Sequence, residues 1–288
     1  KYYCGTALVC SPFFLTAHWL SGCNGFDQDG YSYLYMIFLT LAAVFYGAVG
    51  LFYISRLLAL NEINEVLISF TLVAILFGSN LFYYTVGELG MSHVYSFAFV
   101  SAFLYYASMW FRNNKPKSFI IMSVLFGLIV LIRPVNAIII FVLPFIAGSQ
   151  SNLFKSIQGL LKEKITLLIS FLVFMLIISI QLIIYKIQTG SFFVYSYQEE
   201  GFNFTNPQIF NFLFSYQKGL FLYTPLFLVA LFGLLPIYQT SKFKFFSIVS
   251  FLAFVIYIMQ SWWCWFYGGS FSTRVFVEIL PLFALLLG

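Results

Sequence analysis

Charge is scarce in this chain. Charged residues fill 8% of its 288 positions, against 62% hydrophobic ones. No water-soluble fold can cover that much apolar surface, so lipid is the expected solvent. Histidine occurs only as His18 and His93, which excludes a multi-histidine metal site within the chain. Zinc-ligand spacing, a Walker loop and a dinucleotide fingerprint are all missing, so neither a resident metal nor a cofactor is expected. No fixed-period repeat and no linker divides the chain, and a single transmembrane domain is expected over 1–288. The formal charge of +5 does not mark a nucleic-acid partner. It is read by where each charge lies relative to the bilayer. Four cysteines, Cys4, Cys10, Cys23 and Cys264, allow three disulfide connectivities or none.

What is present is apolar and aromatic. Aromatic residues reach 22%, a composition suited to lipid-facing surfaces and interface belts. Apolar runs fall at 33–55, 66–86, 91–111, 118–132, 135–149, 165–187, 219–238, 245–261 and 275–288. They predict an all-α bundle with about nine membrane segments. Nine basic residues share one set of loops: Arg56, Arg112, Lys115, Lys117, Lys155, Lys162, Lys164, Lys242 and Lys244. Five lie in the alternate set: Lys1, Arg133, Lys186, Lys218 and Arg274. The richer set is expected in the cytoplasm. Both flanks of 118–149 are Lys-rich, so those two runs are expected to form a hairpin. Each arm would be about 22 Å long as an α-helix, short for a full crossing. Residues 1–32, 188–218 and 262–274 then lie on the outer side, the first containing an interfacial helix over Gly5–Leu20.

The polar residues of that outer side are the candidates for chemistry. Arg133 breaks the hairpin within Arg133-Pro134-Val135-Asn136, and its planar fork of donors suits a phosphate. Snorkelling to the interface is the structural alternative. Arg274 follows the Gly268-Gly269-Ser270 turn, and Glu278 is four residues on, which in an α-helix puts the two on one face. Trp262, Trp265 and Tyr267 are candidates for a wall against a sugar or acceptor, or for an ordinary interface belt. Glu88 and His93 flank a short turn and form the weakest candidates, as an acid–base pair or a local cap. The pair Glu199 and Glu200 can bind a cation, meet a hydroxylated acceptor or simply stay solvated. Lys218 completes a set of three outer cations with Arg133 and Arg274.

Several segments together resemble the membrane glycosyltransferases of the GT-C fold that use polyprenyl-phosphate sugars. The likeness is to the broad group of protein O-mannosyltransferases and bacterial aminoarabinose transferases. The carrying segments are Lys1 through Leu8 with Pro12; Met91 through Phe97; Leu131 through Asn136; Leu213 through Pro225; and Trp262 through Pro281. The resemblance implies sugar transfer from a polyprenyl-phosphate donor to a lipid, glycan or protein acceptor. The implied place is the periplasmic face of a bacterial cytoplasmic membrane, with membrane lipid around the chain and membrane-protein partners allowed. By this likeness Arg133, Lys218 and Arg274 would bind the donor phosphate. The family's aspartate base would lie upstream of Lys1, both ends of the chain being expected to continue further. A non-catalytic subunit of a membrane assembly and a lipid or solute transporter are the competing classes.

Overall fold

The structure is a computed structural model and describes residues 3–195, 197 and 200–288. Among these residues the regular structure is helical, with one isolated bridge between Phe202 and Trp262. The helices are α1 (Gly5–Asn24), α2 (Tyr33–Leu60), α3 (Glu65–Phe77), α4 (Leu81–Val86), α5 (His93–Asn113) and α6 (Pro116–Ile132). A 3₁₀ segment (Pro134–Val142) runs into α7 (Leu143–Ala147), followed by α8 (Gln150–Lys162) and α9 (Lys164–Thr189). Four short helices follow: α10 (Ile209–Phe214), α11 (Leu220–Tyr223), α12 (Leu226–Leu231) and α13 (Leu234–Thr240). Then come α14 (Lys242–Gln260), a second 3₁₀ turn (Arg274–Ile279) and α15 (Leu280–Leu287).

Among the described residues four helices are long and apolar enough to cross a membrane: α2, α5, α9 and α14, with 28, 21, 26 and 19 residues. A fifth crossing is available if Pro134–Ala147 and α8, bent by 118°, are taken as one span. The runs at 66–86 and 219–238, read from sequence as single segments, are broken. The first divides at Gly78-Ser79-Asn80, the second at Thr224-Pro225 and again at Phe232-Gly233. Pro225 cannot continue the helix that precedes it.

The helices share one polarity axis. α2 and α5 run in parallel: Tyr46 meets Tyr95 at 5.3 Å, Tyr53 meets Tyr105 at 5.6 Å, and Gly50 lies against the Phe97 ring. α6 returns antiparallel to α5, with Phe119 on Trp110 at 5.1 Å and Phe126 on Phe103 at 6.0 Å. It stops at Arg133, whose φ of −150° and ψ of 107° are the extended backbone favoured before proline. The chain then reverses. Asn136 Nδ2 donates to Ser96 Oγ at 2.7 Å near the start of α5. Asn152 Nδ2 donates to the Phe111 and Ala147 carbonyls at 3.2 and 2.9 Å near its end. The expected hairpin is therefore present as a fold element, and both of its feet stand at the same end of α5.

The return arm is not the α-helix assumed from sequence. Pro134–Val142 winds as 3₁₀ and buries Asn136, Ile139 and Val142, one residue in three, as a three-residue turn requires. At about 2.0 Å per residue this stretch, with α7, reaches about 25 Å, longer than an α-helical arm would. α8 then turns away at Gly148, which sits at φ 78°. Leu153, Phe154, Ile157, Leu160 and Leu161 form one apolar face of α8, opposite Lys155, Gln158 and Lys162.

One end of the bundle gathers the basic loops. Ser241 Oγ contacts the Gly148 carbonyl at 3.5 Å, and Gly288 sits against Leu58 and Ile63. We call this the basic end. The opposite, aromatic end holds the α4–α5 turn, Arg133 and the stretches 200–218 and 261–274. The Gly5–Leu20 stretch, expected as an interfacial helix, forms α1, but α1 packs antiparallel along the first half of α2 and so runs with a helix of membrane-crossing length instead of lying across its end. Tyr46 donates to the Val9 carbonyl at 3.0 Å, and His18 Nδ1 meets Tyr35 OH at 2.6 Å. At Gly5 a Cβ would collide with the Leu131–Ile132 backbone, so only glycine lets α1 start against the tip of α6. All four cysteines are free thiols.

Candidate functional site at the aromatic end

Two helix breaks bring charge into this end. Arg133 closes α6, while Arg274 opens the final 3₁₀ turn and Glu278 sits within it. Because that turn has three residues per turn, positions four apart diverge by about 120° instead of sharing a face. The expected Arg274–Glu278 pair therefore does not form. Glu278, 3% exposed, turns inward and accepts from Arg133 at 2.9 Å and from His93 Nδ1 at 2.9 Å on the same oxygen, Oε1. Asn136 Nδ2 approaches that oxygen at 3.5 Å. The Arg133 guanidinium also lies 2.8 Å from His93 Nδ1. One nitrogen cannot donate to Glu278 and accept from Arg133 together, so the carboxylate charge fixes the proton on Nδ1. Glu278 Oε2 is buried without a partner among the described residues.

Glu88 does not pair with His93, as sequence adjacency suggested. It accepts from Tyr83 OH at 3.3 Å, while His93 starts α5 and points into the bundle toward Glu278. The intervening turn separates the two side chains. The lone acid in an apolar run, Glu278, was the missed signal: such a carboxylate must find a cation or donor to be tolerated there.

Above this cluster lies a cavity of about 640 Å³. Arg133, Arg274, Trp262, Tyr267 and Glu200 line it, joined by Tyr197 and Trp263. Trp262 packs edge-on against Phe202 and Tyr197 at 4.9 and 5.1 Å, which holds the wall. Trp265 is not in the lining; it packs against Phe266 at 5.7 Å and toward the core. Glu199 lies outside the described residues.

Arg274 is poorly satisfied. Among the described residues its Nε is buried without a partner, NH1 meets only Met91 Sδ at 3.8 Å, and the guanidinium lies 5.8 Å from the Tyr267 ring centroid. Burial and the nearby Arg133 both disfavour its charge. Since arginine does not give up its proton in proteins, the imbalance is an unmet demand for an anion. Lys218 is more committed: its ammonium donates to the Gly268 carbonyl, and to Ser270 Oγ at 3.0 Å. Burial, then Arg274, pushes its pKa down from the usual lysine value.

The loop carrying Arg274 is tied from several sides. Tyr84 OH donates to the Phe271 carbonyl at 2.8 Å, Thr273 Oγ1 to the Lys218 carbonyl at 2.9 Å, and Tyr267 OH to the Met259 carbonyl at 2.7 Å. Tyr267 and Ser272 hold φ values of 55° and 50°, in the left-handed region that side chains with a Cβ avoid. Those anchors supply what keeps the strained positions in place. The structure thus brings Arg133, Arg274, Trp262, Tyr267 and Glu200 around one cavity, while Lys218, at the same end, is outside its lining and is held on the Gly268–Ser270 turn. No group of three possible metal ligands occurs among the described residues.

Fold and site together define an all-helical chain with helices of membrane-crossing length and a cationic, aromatic-walled cavity at one end. Comparison with protein-family profiles, curated proteins and solved structures finds no match.

Proposed function

We propose that this cavity holds the phosphate of a polyprenyl-phosphate-linked sugar, and that the protein transfers that sugar to an acceptor outside the cytoplasm. The observation that carries the reading is Arg274: a half-buried guanidinium, with no carboxylate partner among the described residues, beside Arg133 on a cavity walled by Trp262 and Tyr267. With Arg133 paired to Glu278, Arg274 leaves one positive charge uncompensated at the cavity, and flat rings suit a sugar face. A GT-C arrangement of nine segments in a bacterial cytoplasmic membrane, with the cavity on the periplasmic side, belongs to the same reading. In the reaction the acceptor hydroxyl attacks the anomeric carbon and loses its proton to a base. The bond from that carbon to the phosphate oxygen breaks, and polyprenyl phosphate leaves. Arg133 and Arg274 would stabilise the charge gathering on the leaving phosphate. The base is not assigned to a residue of this chain.

The test is transfer from a radiolabelled polyprenyl-phosphate sugar by the membrane-embedded protein. Arg274→Ala should lower turnover by about two orders of magnitude, the effect typical of losing one donor to a developing anion. Arg274→Lys should recover only part, because it keeps the charge and loses the fork. Wild-type turnover from both Arg274→Ala and Arg133→Ala at normal expression would overturn the reading. Tight donor binding with no transfer by the wild type would favour a carrier or subunit role for the same cavity.

A further inference from the structure

Helix α8 lies at the basic end, away from the arginine cavity, and both of its ends are held at one level. At its start, Ser149 Oγ accepts from Asn152 N, and Asn152 Nδ2 donates to the Phe111 carbonyl near the end of α5. Gly148, at the corner before it, meets Ser241 where α14 begins. At its finish, only Glu163 separates Lys162 from Lys164, the first residue of α9. α9 runs parallel to α6, with Gly127 packed on Ile177 and Phe126 stacked on Phe174 at 5.5 Å, each ring ten residues from its helix start. Lys164 therefore stands level with Pro116, again at the basic end. A helix with both ends at the level where α5 stops and α9 and α14 start runs along the membrane surface. The 118° bend from the hairpin arm is accordingly nearer a right angle than a continued or reversed course. The 13 residues of α8 span about 20 Å, short of the roughly 30 Å of hydrocarbon.

Around its axis α8 divides into three sectors, at about 100° per residue. Asn152, Leu153, Ser156 and Leu160 face the bundle: Ser156 is buried, and Leu153 and Leu160 pack on the core. Phe154, Ile157 and Leu161 occupy the next sector, and all three are exposed. Gln150, at the corner, is the one polar residue among them. Lys155, Gln158 and Lys162 form the third sector with Ser151, also exposed. No acidic residue occurs within α8, and Glu163 follows its end. Water suits the third sector and not the second. The apolar strip leads directly into the first turns of α9, where Ile165 and Leu168 are exposed. Along its whole length α9 buries only Thr166, Ser170, Gln181 and Tyr185 among the described residues. An apolar helix of membrane-crossing length that its own chain covers so little faces acyl chains, and the strip on α8 continues that surface.

We propose that α8 is an in-plane membrane-binding helix, with Phe154, Ile157 and Leu161 in the acyl layer of the leaflet at the basic end and Lys155 and Lys162 among its headgroup phosphates. The partner is the phospholipid surface itself. Lysines on one sector beside large apolar side chains on the next are the pattern of helices that lie in this boundary. α8 is then not the second half of a fifth crossing, and this holds whether or not the arginine cavity transfers sugar. The test uses the full chain in phosphatidylcholine nanodiscs, with a genetically encoded fluorescent amino acid at one position of α8 at a time. Probes at Phe154, Ile157 and Leu161 should be quenched by lipid-borne nitroxides, more by those near the headgroup than by those near the chain end. All three should report one depth, about 5–10 Å into the headgroup boundary. Probes at Lys155, Gln158 and Lys162 should instead be quenched by aqueous iodide. Equal iodide quenching at all six positions would overturn the proposal by placing the apolar strip in water. Exclusion of both quenchers from the three apolar positions would overturn it in favour of a protein cover, such as a second copy of the chain. A depth that increases steadily from Phe154 to Leu161 would mean that α8 crosses. Each position is exposed and read separately, so a variant that fails to fold leaves the others to decide.

Discussion

Replacing Glu278 by alanine tests the buried charge cluster most directly. The carboxylate is 3% exposed and its Oε1 accepts from both Arg133 and His93 at 2.9 Å. Its removal leaves one cation and one imidazole N–H without their acceptor. Breaking a buried ion pair by removing one partner costs about 3–5 kcal/mol. The Arg133 side chain is 20% exposed and borders the cavity, so it can turn outward and recover some solvation. The expected loss is therefore at the lower bound, about 3 kcal/mol. Glu278→Gln keeps the shape and one acceptor oxygen but loses the charge, and its amide meets the buried position where Oε2 has no partner. It should cost about 1–2 kcal/mol, the penalty of a mispaired buried polar group. Arg133→Ala combined with Glu278→Ala should cost less than the two single changes added together, because each single change strands the other group. Unfolding midpoints in a denaturing detergent series would measure all four proteins. If Glu278→Ala unfolds at the wild-type midpoint, the cluster does not hold the two breaks together and the reasoning fails.

A cysteine placed at Gln158, on the exposed side of α8, should react with a membrane-impermeant thiol reagent only from the side bearing Lys155 and Lys162; labelling from the aromatic end would contradict the shared polarity axis. The Lys218 ammonium is held below the ordinary lysine range by burial and Arg274, so its charge is complete below that lowered pKa and lost as pH rises through it. Phosphate binding measured across alkaline pH should weaken earlier than an ordinary lysine would dictate, and Lys218→Arg should move the fall upward; a flat profile in the wild type would remove Lys218 from the site. Gly50→Ala should lower the unfolding midpoint, because the new methyl meets the buried Phe97 ring, by about 1–3 kcal/mol. The same change at Gly159, which faces open space on α8, should instead stabilise by about 0.5–1 kcal/mol, and like signs at the two positions would refute the packing argument.

Much of the fold was legible because apolar length and lysine position are direct consequences of lipid as solvent. The runs around α2, α5, α9 and α14 follow from composition, and the hairpin tip at Arg133-Pro134 follows from the bias of a residue before proline. The breaks at Gly78 and Gly233 were hidden, since glycine is tolerated in helices and only packing decides whether the chain bends there, whereas the break at Pro225 was legible in the sequence. For the site, cation location followed from topology, which put Arg133, Lys218 and Arg274 at one end. Pairing did not follow. His93 and Glu278 are 185 positions apart, and their contact depends on where α5 and the final turn cross. The same turn misled the spacing argument for Arg274, because a four-residue interval means different things in α and 3₁₀ winding.

The return arm of the hairpin carries a further implication. Between Pro134 and Val142 the chain keeps Asn136, Ile139 and Val142 in line by taking the tighter coil. Were these nine residues to rewind as an α-helix, the arm would shorten by about 4–5 Å, and the buried row would rotate by about 60° for every three residues. Arg133 would then sink toward the bundle centre and Asn136 would swing away from Ser96. The height of the guanidinium is therefore a property of backbone pitch, held by contacts all along the arm, and not of the number of residues between Arg133 and the basic end.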